Sequence, residues 1–207
     1  MGFATTVLRL VTGATMAGHG IQKLTTSLGG HGPEGTAQAF EQMGLRPGRQ
    51  FGMATGVAEA AGGTMMALGL ATPLACSMVT GVMVGAITKV HLKNGFWATE
   101  GGFEYNLGIL ASTFAIAGAG GGPLSLDGLR GKKHRGFGWA VLQLALGAGT
   151  AAAALAISDR QAASGPKGEL SSATDAPPEG QSPAAGDDEM ADLAGDNGVS
   201  GRTGATQ

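Results

Sequence analysis

A small set of ionisable side chains falls inside or at the ends of long apolar stretches: His19, Lys23, Glu59, Lys89, His91 and Glu104. A charge in a lipid-spanning segment costs about 2.5–3.5 kcal/mol on insertion scales, so such groups are kept where they pair or work. Glu59 lies within VAEAAGGTMMALGL and is the hardest to dismiss. A mid-span carboxylate needs either a cationic partner or a proton, so Glu59 is read as an ion-pair member or as a proton- or ligand-handling group. His19 and Lys23 are four residues apart and share one helix face. Imidazole and ammonium groups donate to carbonyl oxygens, and a carboxyl group can exchange a proton; together they suit a polar ligand head group. Arg9 is a structural ion-pair candidate, with Glu59 or backbone carbonyls as its partners. The plainer reading is that Lys23, Lys89 and Lys93 snorkel to head groups and that the histidines hydrogen-bond at the interface.

Several chemistries find no support. His19, His91 and Glu104 lack HxxH, HxxxH or ExxH spacing, so no metal site is assigned. No Ser/His/Asp or CxxC arrangement is present, and the lone Cys76 forms no intrachain disulfide. No residue is assigned a catalytic role. The glycine pairs Gly52–Gly56 and Gly81–Gly85 read as small-xxx-small packing faces, because the strand–turn–helix setting of a nucleotide fingerprint is missing.

The elements that must position these groups are helices in lipid. Only 14% of the 207 residues are charged and 39 are glycine, against about 25% and ~7% in soluble domains. The mean hydropathy of +0.13 averages two unlike parts, an apolar region to Ile157 and a polar one from Ser158. A first span covers roughly 3–22 and reads as a retained helix, since it lacks a basic start and holds Arg9. The hairpin 51–92 follows, two apolar arms around an Ala71–Thr72–Pro73 turn, each near the ~20 residues that cross a bilayer. A fourth span covers 104–120, and a fifth, rich in Ala and Gly, covers 137–157. TAQAFEQMGL (36–45) is expected to be a short interfacial helix. Phe96 and Trp97 fit the membrane–water boundary. The expected architecture is therefore all-α: a multi-pass transmembrane helix bundle over 1–157, with a disordered acidic tail over 158–207.

Arg130, Lys132, Lys133 and Arg135 cluster between spans four and five. The positive-inside rule puts that loop and the N-terminus in the cytoplasm of a plasma-membrane protein, with the tail outside. His19, Lys23, Lys89, His91 and Glu104 then gather at the outer ends of their helices. Glu59 lies on the order of 13 Å below, as the floor of the cluster. The net charge of −2 suggests no nucleic-acid partner.

The order LRLVTGATMAGHGIQKL, VAEAAGGTMMALGLATPLA, KVHLKNGFW, EYNL and GGPLSLD resembles the DoxX family of small bacterial membrane proteins. The motifs cover roughly residues 5–130. The resemblance implies a four-helix membrane unit, to which the fifth span is an addition. It also implies a link to thiosulfate:quinone oxidoreduction as a membrane subunit, and in actinobacteria to a complex handling oxidative and thiol stress. On that reading the chain holds no cofactor of its own, contacts a quinone through the outer cluster, and needs a soluble redox enzyme or another membrane subunit as partner. The alternative is a small-solute transporter, channel or membrane scaffold, since mid-membrane ionisable groups also mark ion pathways. No inverted repeat or pair of broken helices favours transport.

Overall fold

The computed structural model describes residues 2–164, and these are helical with no strand among them. Helix α1 spans Gly2–Leu24, α2 Gly32–Gln42, α3 Gly48–Leu68 and α4 Thr72–Ala86, and a π-helical turn prolongs α4 over Ile87–His91. Helix α5 spans Glu104–Ala119, α6 is the single turn Leu126–Leu129, and α7 spans Phe137–Ser164. Helices α1, α3, α4 and α5 form an up-and-down bundle in which each packs on the next and α5 returns to α1. Helix α7 packs against α4 and α5, and α2 lies against α3 and α1. The bundle thus has two ends. One carries Leu24, Gly48, His91 and Glu104, and the other carries Leu68, Thr72, Ala119 and Asp127.

The outer surface is greasy and the interior partly polar, the reverse of a soluble bundle. Val7, Leu10 and Val11 of α1, Val57 of α3, Leu107 of α5 and Leu142 and Leu146 of α7 are exposed. Such a surface is matched by hydrocarbon rather than water. Thr72–Asn94 and Phe137–Ser164 are each long and apolar enough to cross a bilayer. Inside, Met16, Met66, Val79, Met83, Ile109 and Ile116 form the apolar core. Thr80 donates to Gln143 at 2.9 Å and lies 3.1 Å from the Thr113 hydroxyl, so one buried polar chain joins α4, α5 and α7.

Small residues set the closest seam. Gly13, Ala17 and Gly20 of α1 meet Gly56, Ala60, Gly63 and Ala67 of α3 so tightly that a Cβ on Gly13, Gly20 or Gly63 would strike the facing backbone. Such close approach lets dispersion contacts replace the hydrophobic drive that lipid removes. The seam differs from the expected one. Gly52 faces Thr36 of α2, Gly56 faces Leu24 and Lys23, and Gly81 faces Thr150 and Gly147 of α7. A Cβ on Gly85 would meet nothing within 4 Å, so Gly85 packs against no helix there.

The α3–α4 turn is held from outside the hairpin. Gly69 and Ala71 are left-handed, with φ of 65° and 44°, and the alanine costs about 1 kcal/mol or more there. Asp127 offsets this by accepting hydrogen bonds from Ala71 N (2.9 Å), Thr72 N (2.8 Å) and Thr72 Oγ1 (2.8 Å). A carboxylate from α6 therefore caps the N-terminus of α4, where the helix dipole also favours it. Burial works against the Asp127 charge, but the Thr72 and Ala71 hydrogen bonds, with His134 nearby, outweigh it and hold the carboxyl below its ordinary value.

Three element boundaries differ from expectation. Helix α2 begins at Gly32 and ends at Gln42, because Pro33 can open a helix and Gly44 turns left-handed past its end. Helix α3 begins at Gly48, ahead of the expected 51. Helix α7 continues past Ile157 to Ser164, since Ser158 Oγ accepts from Arg46 N (3.1 Å) and Asp159 pairs with Lys89 (2.9 Å). The remainder of the expected acidic tail, from residue 165, lies outside the described residues.

Candidate functional site

A cavity of about 790 Å³ runs along α4 from Leu74 to His91, within the ~300–1,000 Å³ of ordinary ligand sites. Helix α1 supplies Met16, His19 and Lys23, and α3 supplies Glu59. The π-helical turn supplies Lys89 and His91, and α5 supplies Asn106. Phe40 and Met43, on α2 and just past its end, also line the cavity. π-Bulges recur at functional sites because the extra residue redirects side chains that an α-helix would point elsewhere.

Glu59 is only 3% exposed, and Lys23 Nζ lies 2.6 Å from its Oε2. At that distance Lys23 is the direct partner of the Glu59 carboxylate. His19 adds a third group to this electrostatic cluster. The pair forms because α1 ends lower than α3 begins. Lys23 Cβ faces Gly56, 3.2 Å from where a side chain there would start, and Glu59 follows one turn on. Glu59 is thus about 16 Å along α3 from Gly48, yet it lies beside Lys23 rather than far beneath it.

His91 Nδ1 is 2.7 Å from the Gly101 carbonyl. Since a carbonyl only accepts, Nδ1 carries the proton, and Nε2 is the ring nitrogen left for other chemistry. Asn106 is 5% exposed, and its amide nitrogen finds only the Met83 sulfur at 3.5 Å. That is a weak partner for a buried amide. Lys89 lines the cavity but spends its charge on Asp159.

Of the expected cluster, His19, Lys23, Glu59, Lys89 and His91 all border the cavity. Glu104 does not. It is exposed, and its Oε2 accepts from Ala98 N at 3.0 Å, bracing the loop ahead of α5. Arg9 lies at the opposite end, 1% exposed. Its guanidinium donates to the Met66, Ala67 and Leu124 carbonyls, so it satisfies the C-terminus of α3 and not Glu59. Among the described residues no group of three His, Cys, Asp or Glu gathers in a metal-binding arrangement.

A family model described as DoxX matches residues 4–92. A Bacillus subtilis (strain 168) protein named "Putative oxidoreductase CatD" is 32% identical over 132 residues, covering 63% of this chain and 90% of that one. The chain belongs to the DoxX family. It is a DoxX-family membrane protein with an all-α fold. No solved structure matches it. The stretch matched by the DoxX model closes just past His91, so His19, Lys23, Glu59, Lys89 and His91 all fall inside it. Asn106 and α7 fall beyond.

Proposed function

We propose that this chain is the membrane subunit of an oxidoreductase, and that its cavity takes the head group of a quinone. The carrying observation is the conjunction of the 790 Å³ cavity with the Lys23–Glu59 pair, whose carboxylate is buried, and with His91 on the same cavity wall. The printed name of the Bacillus subtilis relative points the same way. Reducing a quinone adds a proton to each of its two oxygens. Lys23 and the Asn106 amide donate to one carbonyl, and His91, through Nε2 when protonated, reaches the other. Glu59, able to hold or release a proton, replenishes the donor that is spent. Electrons come from a partner subunit, either a soluble redox enzyme or another membrane protein. With the Arg130–Arg135 loop in the cytoplasm, this site faces the outer side of the plasma membrane.

The test is purification of the native complex from its membranes, with assay of quinone reduction. Glu59→Gln and His91→Ala each lower quinone turnover in the complex and raise oxidant sensitivity in cells. Unchanged turnover and sensitivity in both variants would falsify the proposal. Solute uptake into proteoliposomes by the chain alone would replace it with a transport role.

A further inference from the structure

Charge is divided unequally between the two ends of the bundle. The end that carries His91 and Glu104 holds acidic and basic residues in equal number among the described residues. The opposite end holds Arg130, Lys132, Lys133 and Arg135 in one short loop, with Asp127 as its acid among the described residues. Asp127 is buried, and its oxygens are taken up by Ala71 and Thr72. The four cations are exposed, and among the described residues none of them pairs with a carboxylate. Like charges held so close together repel one another and favour an anionic counter-surface.

The loop is fixed at the depth of the helix ends. Lys132 N donates to the Asp127 carbonyl at 2.8 Å, and Gly136 N donates to the Gly118 carbonyl at 2.8 Å. Both flanks of Lys133, His134 and Arg135 are thereby tied to the bundle. For spanning helices the level of their ends is the head-group layer, about 5–8 Å deep on each side of the hydrocarbon. Apolar side chains border the charges. Leu124, Leu129 and Phe137, together with Phe3 of α1, are from 71% to 79% exposed, more than any other large apolar residue described. Leu129 adjoins Arg130, and Phe137 lies two residues past Arg135. Apolar groups at the acyl boundary beside cations among the phosphates are the pattern of a lipid contact.

We infer that the loop between α5 and α7 binds the phosphate head groups of anionic phospholipids in the adjoining leaflet, through Arg130, Lys132, Lys133 and Arg135. The occupant is lipid and not an acidic protein, because the loop is tied down at head-group level with its most exposed neighbours apolar. The inference is independent of what the cavity binds. It concerns the opposite end of the bundle.

The chain's two tryptophans report on the two ends. Trp139 meets His134 of the loop edge to face, with ring centres 4.7 Å apart, and Trp97 lies in the connection before α5. In nanodiscs of phosphatidylcholine, Trp97→Phe leaves Trp139 as the reporter, and Trp139→Phe leaves Trp97. Quenching by brominated phosphatidylglycerol, compared with brominated phosphatidylcholine, gives the lipid preference at each end. One basic contact at the surface is worth about fivefold, so Trp139 prefers phosphatidylglycerol by about fivefold or more and Trp97 by less than about twofold. Replacing Arg130, Lys132, Lys133 and Arg135 together by Gln brings the Trp139 preference below about twofold. Equal preference at the two ends, or a Trp139 preference that survives the Gln variant, overturns the inference. Should that variant fail to fold, salt decides on the unaltered loop: exposed charges are screened, so the Trp139 preference falls at high salt, and a preference unchanged by salt overturns it. Charge-dependent co-purification of an acidic protein without any lipid preference at Trp139 also overturns it, and makes the loop a protein-docking surface instead.

Discussion

Replacing Asp127 with alanine removes one acceptor group and strands three donors. The N–H groups of Ala71 and Thr72 and the Thr72 hydroxyl all point at this carboxylate, and Thr72 is fully buried. A buried donor left without an acceptor costs about 1–3 kcal/mol. A lost N-terminal cap costs about 0.5–2 kcal/mol by itself. Because the donors share one site and Ala71 is partly accessible, the sum falls short of additive, at about 3–5 kcal/mol. Asp127→Asn keeps one carbonyl oxygen and loses roughly half of that. Chemical unfolding in detergent micelles, followed by helical circular dichroism, should rank the original above Asn and Asn above Ala. The pH dependence supplies a second readout. The folded carboxyl lies below its ordinary value, so the fold prefers the ionised form. Its contribution is full above the unfolded value of about 3.9 and is lost as pH falls through that value toward the folded one. The alanine variant should lack that acid limb. A variant within about 0.5 kcal/mol of the original, or one that keeps the limb unchanged, refutes the capping account.

Three other outcomes follow from the packing. Lys23→Met leaves the buried Glu59 carboxylate without its cation and should cost about 3–5 kcal/mol, with most of it recovered when Glu59→Gln is added; a double-mutant cycle by thermal unfolding measures the coupling. Gly20→Leu should separate α1 from α3 and reduce the yield of folded protein sharply, while Gly85→Ala leaves it unchanged; size-exclusion profiles in detergent distinguish the two. Asp159→Asn breaks a pair whose carboxylate is 64% exposed, so stability should move by less than about 1 kcal/mol, and less still at high salt.

The helices were legible because lipid demands long apolar runs, and Pro73 and the Gly121-Gly122-Pro123 break punctuate them. Lys23, Glu59 and His91 were legible as a cluster because charges in such runs are few, and hairpin topology brings alternate helix ends together. What the sequence could not fix was relative height. Lys23 reaches Glu59 because α1 stops opposite Gly56, and that offset depends on the Gly13–Gly63 seam, whose residues look like any others in a glycine-rich chain. Glu104 fell at the right end but points to Ala98, a loop detail that helix depth does not encode. The reverse holds for Asn106, a polar residue in an otherwise apolar stretch, which could have been singled out on the same ground as Glu59. Arg9 had two admissible partners on paper. The α3 C-terminus wins because its last carbonyls are unfilled by the helix itself and lie at Arg9's level.

The Thr80–Thr113–Gln143 chain bears on how the protein is made. Helix α7 emerges from the ribosome after the four-helix unit is complete. Until it docks, Thr80 faces the bilayer without its amide partner, and Gln143 enters lipid with none. Interhelical hydrogen bonds in membranes contribute modestly, about 0.6 kcal/mol on average and up to ~1.7, so docking is guided more than driven by this contact. Its larger effect is on register. Sliding α7 by one turn would move Gln143 away from Thr80 and Asp159 away from Lys89 together. Helix α7 thus carries two polar marks, one at mid-membrane and one at the rim, that agree on a single docked position.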